Sequence, residues 1–263
     1  MSLAFAAVVP HTPVLIPSIG KTALKKLDKT KVALEKLEED LYLSKPDLII
    51  IISPHGSYFS DAFTINVCPN FETSLKEFGD LTTKLKFRGE MDLSALIREH
   101  TKEEKIPTAM ISEPTLDHGS TVPLFYLSQH LPDVKIMQLG FCDLSWKMHL
   151  DFGTMIKEVI LNTNKRVAVI ASADLSHALT TEAPAGFDNA GEEFDKKIQE
   201  LLSNKNVAGM MKMDPEMVKK SAECGFRSLL ILMGVLNNVD CTYRQYAYES
   251  PFGVGCLTAN FII

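Results

Sequence analysis

The chain is expected to fold as one α/β domain, with a mostly parallel central sheet, some antiparallel strands and helices on both faces. Three observations predict it. Leu48–Ile52 is a run of five consecutive aliphatic residues, mostly β-branched, and reads as a strand buried on both faces. Further apolar runs at Ala4–Val9, Val134–Phe141 and Arg166–Ser172 alternate with segments of helical period, the rhythm of βαβ units. No internal repeat, low-complexity stretch or Pro/Gly/Ser-rich linker divides the 263 residues, so 1–263 is read as a single domain.

In chain order, Ala4–Val9 is a short strand that ends at Pro10-His11-Thr12-Pro13. Lys21–Leu43 spaces leucines between charges and predicts an amphipathic helix, stopped by Lys45-Pro46. Asp47–Ile52 is the central strand, ended by Pro54 and Gly56. Ala62–Val67 and Leu81–Phe87 alternate apolar and polar residues and predict antiparallel or edge strands, with residues 68–80 a loop between them. A helix runs from Asp92 to about His100, and Thr108–Ser112 is a strand. Residues 113–120 are expected to be a polar loop before a helix over Val122–His130, with Pro123 in its first turn. Val134–Phe141 is a strand, Ser145–Leu161 a helix and Arg166–Ser172 a buried strand. Helices are expected over Phe187–Leu202, Pro215–Glu223 and the more apolar Gly225–Leu236. Cys241–Tyr248 and Val254–Ile263 close the chain as two strands.

Composition narrows the function. The net charge is −6 and no basic cluster offers a nucleic-acid footprint, so no nucleic acid is expected as partner. No apolar run approaches the roughly 18 residues of a membrane span. The N-terminal MSLAFAAVVPHTP lacks a basic region and reads as a strand, not a signal peptide. The five cysteines are scattered and form no CxxC pair, which points to a reducing cytoplasm and away from a disulfide framework or zinc finger.

Four histidines share one setting. His11, His55, His118 and His177 each follow an apolar run and open a loop with Gly, Pro, Ser or Asp. Parallel strands would bring all four imidazoles to one sheet edge, where open α/β sheets bind ligands. One strand-end histidine is more often a structural group bonded to a carbonyl. Four in one setting point to a metal site or acid–base chemistry. His100, His130 and His149 lie on amphipathic helices and are read as surface groups. The candidate carboxylates are Asp117, Asp174, Glu223 and Glu249. Asp117 and Asp174 could orient an imidazole. Glu249 is either an exposed hairpin residue or a metal ligand. Two histidines and a carboxylate would make the facial triad of non-haem Fe(II) oxygenases, and the same donors are also a catalytic zinc set for a hydrolase.

The motifs PHTP, SPHG, LDHGSTVPL, SADLSH and YESPFGVG, in that order over about residues 4–260, resemble the class III extradiol dioxygenases, the LigB-type catalytic subunits, and the related Memo-like proteins. The resemblance implies His11, His55 and Glu249 as metal ligands, His177 as the acid–base histidine and His118 as a second pocket histidine that contacts substrate or dioxygen. It implies Fe(II), with zinc as an alternative in purified protein, and a small aromatic diol and O2 as substrates. The ring would be cleaved beside the diol, with both oxygen atoms in the product. SADLSH, Glu223-Cys224-Gly225 and YESPFGVG are closest to the Memo-like branch, which implies an alternative: a metal-binding protein that acts with AMMECR-type and radical SAM partners and cleaves no ring. A homo-oligomer or an AMMECR-type partner would fit. With Glu249 as the carboxylate ligand, Cys224 and Cys256 need no metal role.

Overall fold

In the computed structural model, which describes residues 2–263, the elements follow in the order β1 (Leu3–Val9), α1 (Pro17–Gly20), α2 (Asp28–Ser44), β2 (Leu48–Ser53), β3 (Phe63–Asn66), β4 (Asn70–Thr73), β5 (Lys86–Gly89), α3 (Asp92–Glu103), β6 (Thr108–Ile111), β7 (Thr115–Leu116), α4 (His118–Leu127), β8 (Lys135–Gly140), α5 (Trp146–Leu161), β9 (Val167–Ser172), α6 (Asn189–Ser203), α7 (Val207–Met210), α8 (Pro215–Lys220), α9 (Phe226–Val235), β10 (Thr242–Glu249) and β11 (Cys256–Ile262). The strands form one sheet in the order β10-β11-β1-β9-β2-β8-β5-β4-β7, with β3 antiparallel to β8 and β6 parallel to β3. β1, β9, β2 and β8 are mutually parallel, and β11 runs antiparallel to β1 and β10. The fold is therefore the mixed, mostly parallel α/β sheet that the sequence predicts.

The aliphatic run of β2 explains its central place. Leu48, Ile50 and Ile52 enter the core under α5 and α9, while Ile49 and Ile51 enter the core under α2 and α4. A strand with both faces buried must be continuously apolar. On the first face α5 and α9 meet backbone to backbone. A Cβ on Gly153 would lie 2.0 Å from the Ile231 carbonyl oxygen.

Four expectations change. Residues 68–80 are not merely a loop but hold β4 and a 3₁₀ turn at Lys76–Phe78. Only the end of Leu81–Phe87 is strand, because Asp80 binds the backbone N–H groups of Thr82 and Thr83 and bends the chain there. α4 starts at His118 rather than Val122, because the Asp117 side chain accepts from Ser120 N and caps it there. His149 is not a surface group. It is fully buried on α5 between Phe63 and Phe141, and its Nδ1 donates to the Ser145 carbonyl at 2.9 Å.

Candidate metal centre

β1, β9 and β2 end at the same sheet edge. His11 and His55 each stand two residues beyond their strand, and His177 stands five residues beyond β9. The short β7 delivers Asp117 and His118 to the same edge, where Ser53 Oγ donates to Asp117 at 2.6 Å. The edge thus gathers the four histidines.

Their geometry is specific. The His11 and His55 rings meet edge to face at 4.9 Å, with their Nε2 atoms 3.1 Å apart. His118 stacks on His55 at 4.1 Å, tilted by 26°, and meets Phe78 on its edge. Donor atoms of His11, His55 and His118 lie within 4.8 Å of one another.

The tautomer of His11 follows from its partners. The Ser172 hydroxyl has one hydrogen, which it donates to the Gly119 carbonyl at 2.5 Å. It must therefore accept at 2.8 Å from His11 Nδ1–H. That leaves the His11 lone pair on Nε2, facing His55. A metal-binding imidazole is normally fixed in this way by a hydrogen bond at its other nitrogen.

A sulfur joins them. Glu223, Cys224 and Gly225 lead into α9. Glu223 accepts from Phe226 N at 2.5 Å and caps the helix. Gly225 has no room for a side chain, since a Cβ would lie 2.4 Å from the Ala173 Cβ. The start of α9 is thereby pressed on the end of β9, and Ala222 is held at a φ of 51°. Cys224 Sγ comes to 3.3 Å from His11 Nε2 and 3.7 Å from the Asp174 carbonyl. In a tetrahedral site with metal–ligand bonds of about 2.0–2.3 Å, donors sit roughly 3.3–3.7 Å apart. The His11–His55 and His11–Cys224 separations each approach that spacing, while the set whose donor atoms all lie within 4.8 Å of one another is His11, His55 and His118. His55 and His118 fit it less well together, because near-parallel stacked rings aim their in-plane lone pairs along separate lines.

Electrostatics suit a cation. Burial, reinforced by the neighbouring His55, His118 and His177, holds His11 well below the usual imidazole range. Burial and His118 lower His55 to about 4, against an opposing pull from Asp117. His118 and His177 are lowered as well, mainly by burial. All four are neutral near pH 7, the form in which imidazole binds metal. Asp174 accepts from His11 N at 2.8 Å, and burial raises it to about 7.

His177 is placed at the same edge. Its Nδ1 donates to the Leu175 carbonyl at 3.0 Å, and its backbone N–H donates to Ser221.

Glu249 is not brought to the histidines. It ends β10, two strands outward from β1, and its Oε1 accepts from Thr30 N at 2.7 Å in the first turn of α2. A carboxylate there completes a helix N-terminus, which is enough to explain it. Cys224 is the residue to which the sequence reading gives no metal role. Its signal was Glu-Cys-Gly directly before an apolar helix.

Residues 5–259 match the family described as the catalytic LigB subunit of aromatic ring-opening dioxygenase. The chain is 31% identical over 264 residues to the protein CA_C1420 of Clostridium acetobutylicum, spanning 97% of this chain and 56% of that one. It is thus little more than half the length of that relative. It is 25% identical to a 4,5-DOPA dioxygenase extradiol of Mirabilis jalapa, over 68% of this chain and 67% of the relative. Among solved structures, an uncharacterized protein JW3007 of Escherichia coli K12 shares the fold, with a TM-score of 0.69 and 15% identity over 98% of this chain and 99% of the other.

Proposed function

Because this chain belongs to the LigB family of aromatic ring-opening dioxygenase catalytic subunits, we propose that it binds a divalent metal, with Fe(II) as the working ion, and acts as an extradiol-type dioxygenase on a catecholic or similarly chelating aromatic. The ion would be held by His11 Nε2, His55 Nε2 and Cys224 Sγ, with His118 beside them. The observation that carries this reading is the Ser172–His11 hydrogen bond. It leaves a lone pair on the nitrogen that meets His55 at 3.1 Å and Cys224 at 3.3 Å.

When bound, the ion supplies a meeting point for the two substrate oxygens and dioxygen and a path for electron density between them. The chain supplies the rest. His177, oriented through Nδ1 by the Leu175 carbonyl, presents Nε2 as the acid–base group that removes a diol proton. His118 stacks against His55 and borders the open side of the centre, where it can steer the substrate ring. Glu77, 3.6 Å from His118 Nδ1, orients that ring in turn.

The test has two parts. His55→Ala and Cys224→Ala should each abolish stoichiometric metal, measured by elemental analysis, while His177→Ala should keep metal and lose turnover. Anaerobic Fe(II) loading, followed by air and a catechol panel, should give yellow ring-fission products with matching O2 uptake. Full metal content in both ligand variants would refute the site.

A second reading rests on the sulfur itself. Thiolate is a soft donor that suits zinc, and Cys224 sits at the centre where the triad expects a carboxylate. On this reading the protein is a Memo-like metal-binding protein that cleaves no ring. Stoichiometric zinc in the purified protein, with no colour from any catechol after iron loading, would favour it.

A further inference from the structure

The loop after β8 runs beside the loop that carries His55. Ser53 pairs with Gly140 on the last rung between β2 and β8, and Asp143 N donates to the Ser60 carbonyl at 2.9 Å. Behind this loop lies a cavity of about 710 Å³, within the usual range for small-molecule sites. Trp146 and Lys147 line it from α5, Lys219 from α8, Glu223 from the segment before α9 and Arg227 from the first turn of α9. Glu223 directly precedes Cys224, so the cavity adjoins the metal centre without containing its donors.

The charges in the wall are unevenly matched. Lys147 is paired to Asp151 at 2.6 Å. Glu223 is engaged in capping α9. Lys219 is exposed and has no carboxylate within ion-pair distance among the described residues. Arg227 reaches Asp143 only at 3.7 Å, its guanidinium lies over the Phe141 ring, and its buried Nε–H has no acceptor. A buried donor without an acceptor is unfavourable, and an oxyanion is the ligand a guanidinium fork fits best. The indole of Trp146 offers an apolar wall beside these cations.

We propose that this cavity binds a small molecule carrying a carboxylate or phosphate, held by Arg227 and Lys219, with its apolar body against Trp146. The site stands independently of ring cleavage. Its test uses metal-free protein, so failure here leaves the metal centre untouched, and failure of the dioxygenase reading leaves this site untouched.

Trp146 is the chain's single tryptophan, so its fluorescence reports on this cavity directly. The metal-free protein is titrated with benzoate, phenyl phosphate and uncharged benzamide. Saturable change is expected with at least one of the two anions and not with benzamide, and it should weaken as salt rises. The tighter anion identifies the group recognised. Arg227→Met should weaken binding about tenfold or more, with Arg227→Lys between it and the parent. Should Arg227→Met fail to fold by circular dichroism, Lys219→Met, on an exposed position of α8, carries the same test through a several-fold loss. Equal binding of benzamide, no saturable change with either anion, or unchanged affinity in a folded Arg227 or Lys219 variant overturns the proposal.

Discussion

Ser172→Ala isolates the step on which the metal centre depends. Ser172 is fully buried, and its hydroxyl joins His11 Nδ1 at 2.8 Å to the Gly119 carbonyl at 2.5 Å. Alanine removes one oxygen and leaves two buried polar groups unmatched. Each costs about 1–3 kcal/mol, so the metal-free protein should lose roughly 2–6 kcal/mol of stability, read by urea denaturation with an unchanged slope. The second effect is on tautomer. Without Ser172, the His11 proton can move to Nε2 and point at His55, and metal must then displace it. Loss of such an orienting partner lowers metal affinity about 10–100-fold. Competition for zinc against a chromophoric chelator measures that directly. A variant that loses stability but binds zinc as tightly as the parent would show that Ser172 is only a packing residue, and the tautomer argument would fail.

Three other perturbations separate structural from functional roles. Glu249→Ala should cost about 1 kcal/mol through the lost cap on α2 and keep its metal, measured by thermal melting and elemental analysis. Retained metal would set this glutamate apart from the carboxylate ligand that the family resemblance implies. Asp195 accepts from Tyr248 Oη at 2.6 Å and Ser176 N at 2.8 Å, yet burial raises it from 3.8 to about 6. Between those values the folded state holds its proton more tightly than the unfolded chain. Its contribution to stability therefore falls by roughly 3 kcal/mol as pH rises through that window. Asp195→Asn should flatten that part of the stability–pH curve in chemical denaturation. Gly153→Ala should destabilise by about 1–3 kcal/mol or more, because the new methyl meets the Ile231 carbonyl oxygen at the α5–α9 crossing. An unchanged melting temperature would show that the two helices separate freely.

The sheet was legible because its strands are either continuously apolar or cleanly alternating. The shared edge was legible for a related reason. His11, His55 and His177 all follow strands that prove parallel, so strand direction alone brings them together. What could not be read depends on contacts across long separations. Nothing local says that Glu249 will meet Thr30, 219 residues earlier in the chain. His149 sits on a helix of amphipathic pattern, and only the packing of α5 against Phe63 and Phe141 shows that it is buried. Cys224 is hidden in the same way. Its place beside His11, 213 residues away, is set by Gly225 lying flat on Ala173 rather than by any spacing in the sequence.

That placement has a consequence for the whole molecule. The proposed donors come from the end of β1, the end of β2 and the start of α9. The first two are already fixed by the parallel ladders on either side of β9. The third is held by a glycine contact, a capping glutamate and a strained Ala222, a local arrangement with no strand ladder behind it. A metal bound there would act as a staple between α9 and the sheet, and would stabilise the fold by RT ln(1 + [metal]/Kd). At a free concentration 100 times Kd that is about 2.7 kcal/mol. The gain should vanish in Cys224→Ala and persist in His118→Ala if the stacked ring stands beside the ion rather than on it. Thermal shifts with and without zinc in these two variants therefore assign the third donor without requiring any turnover.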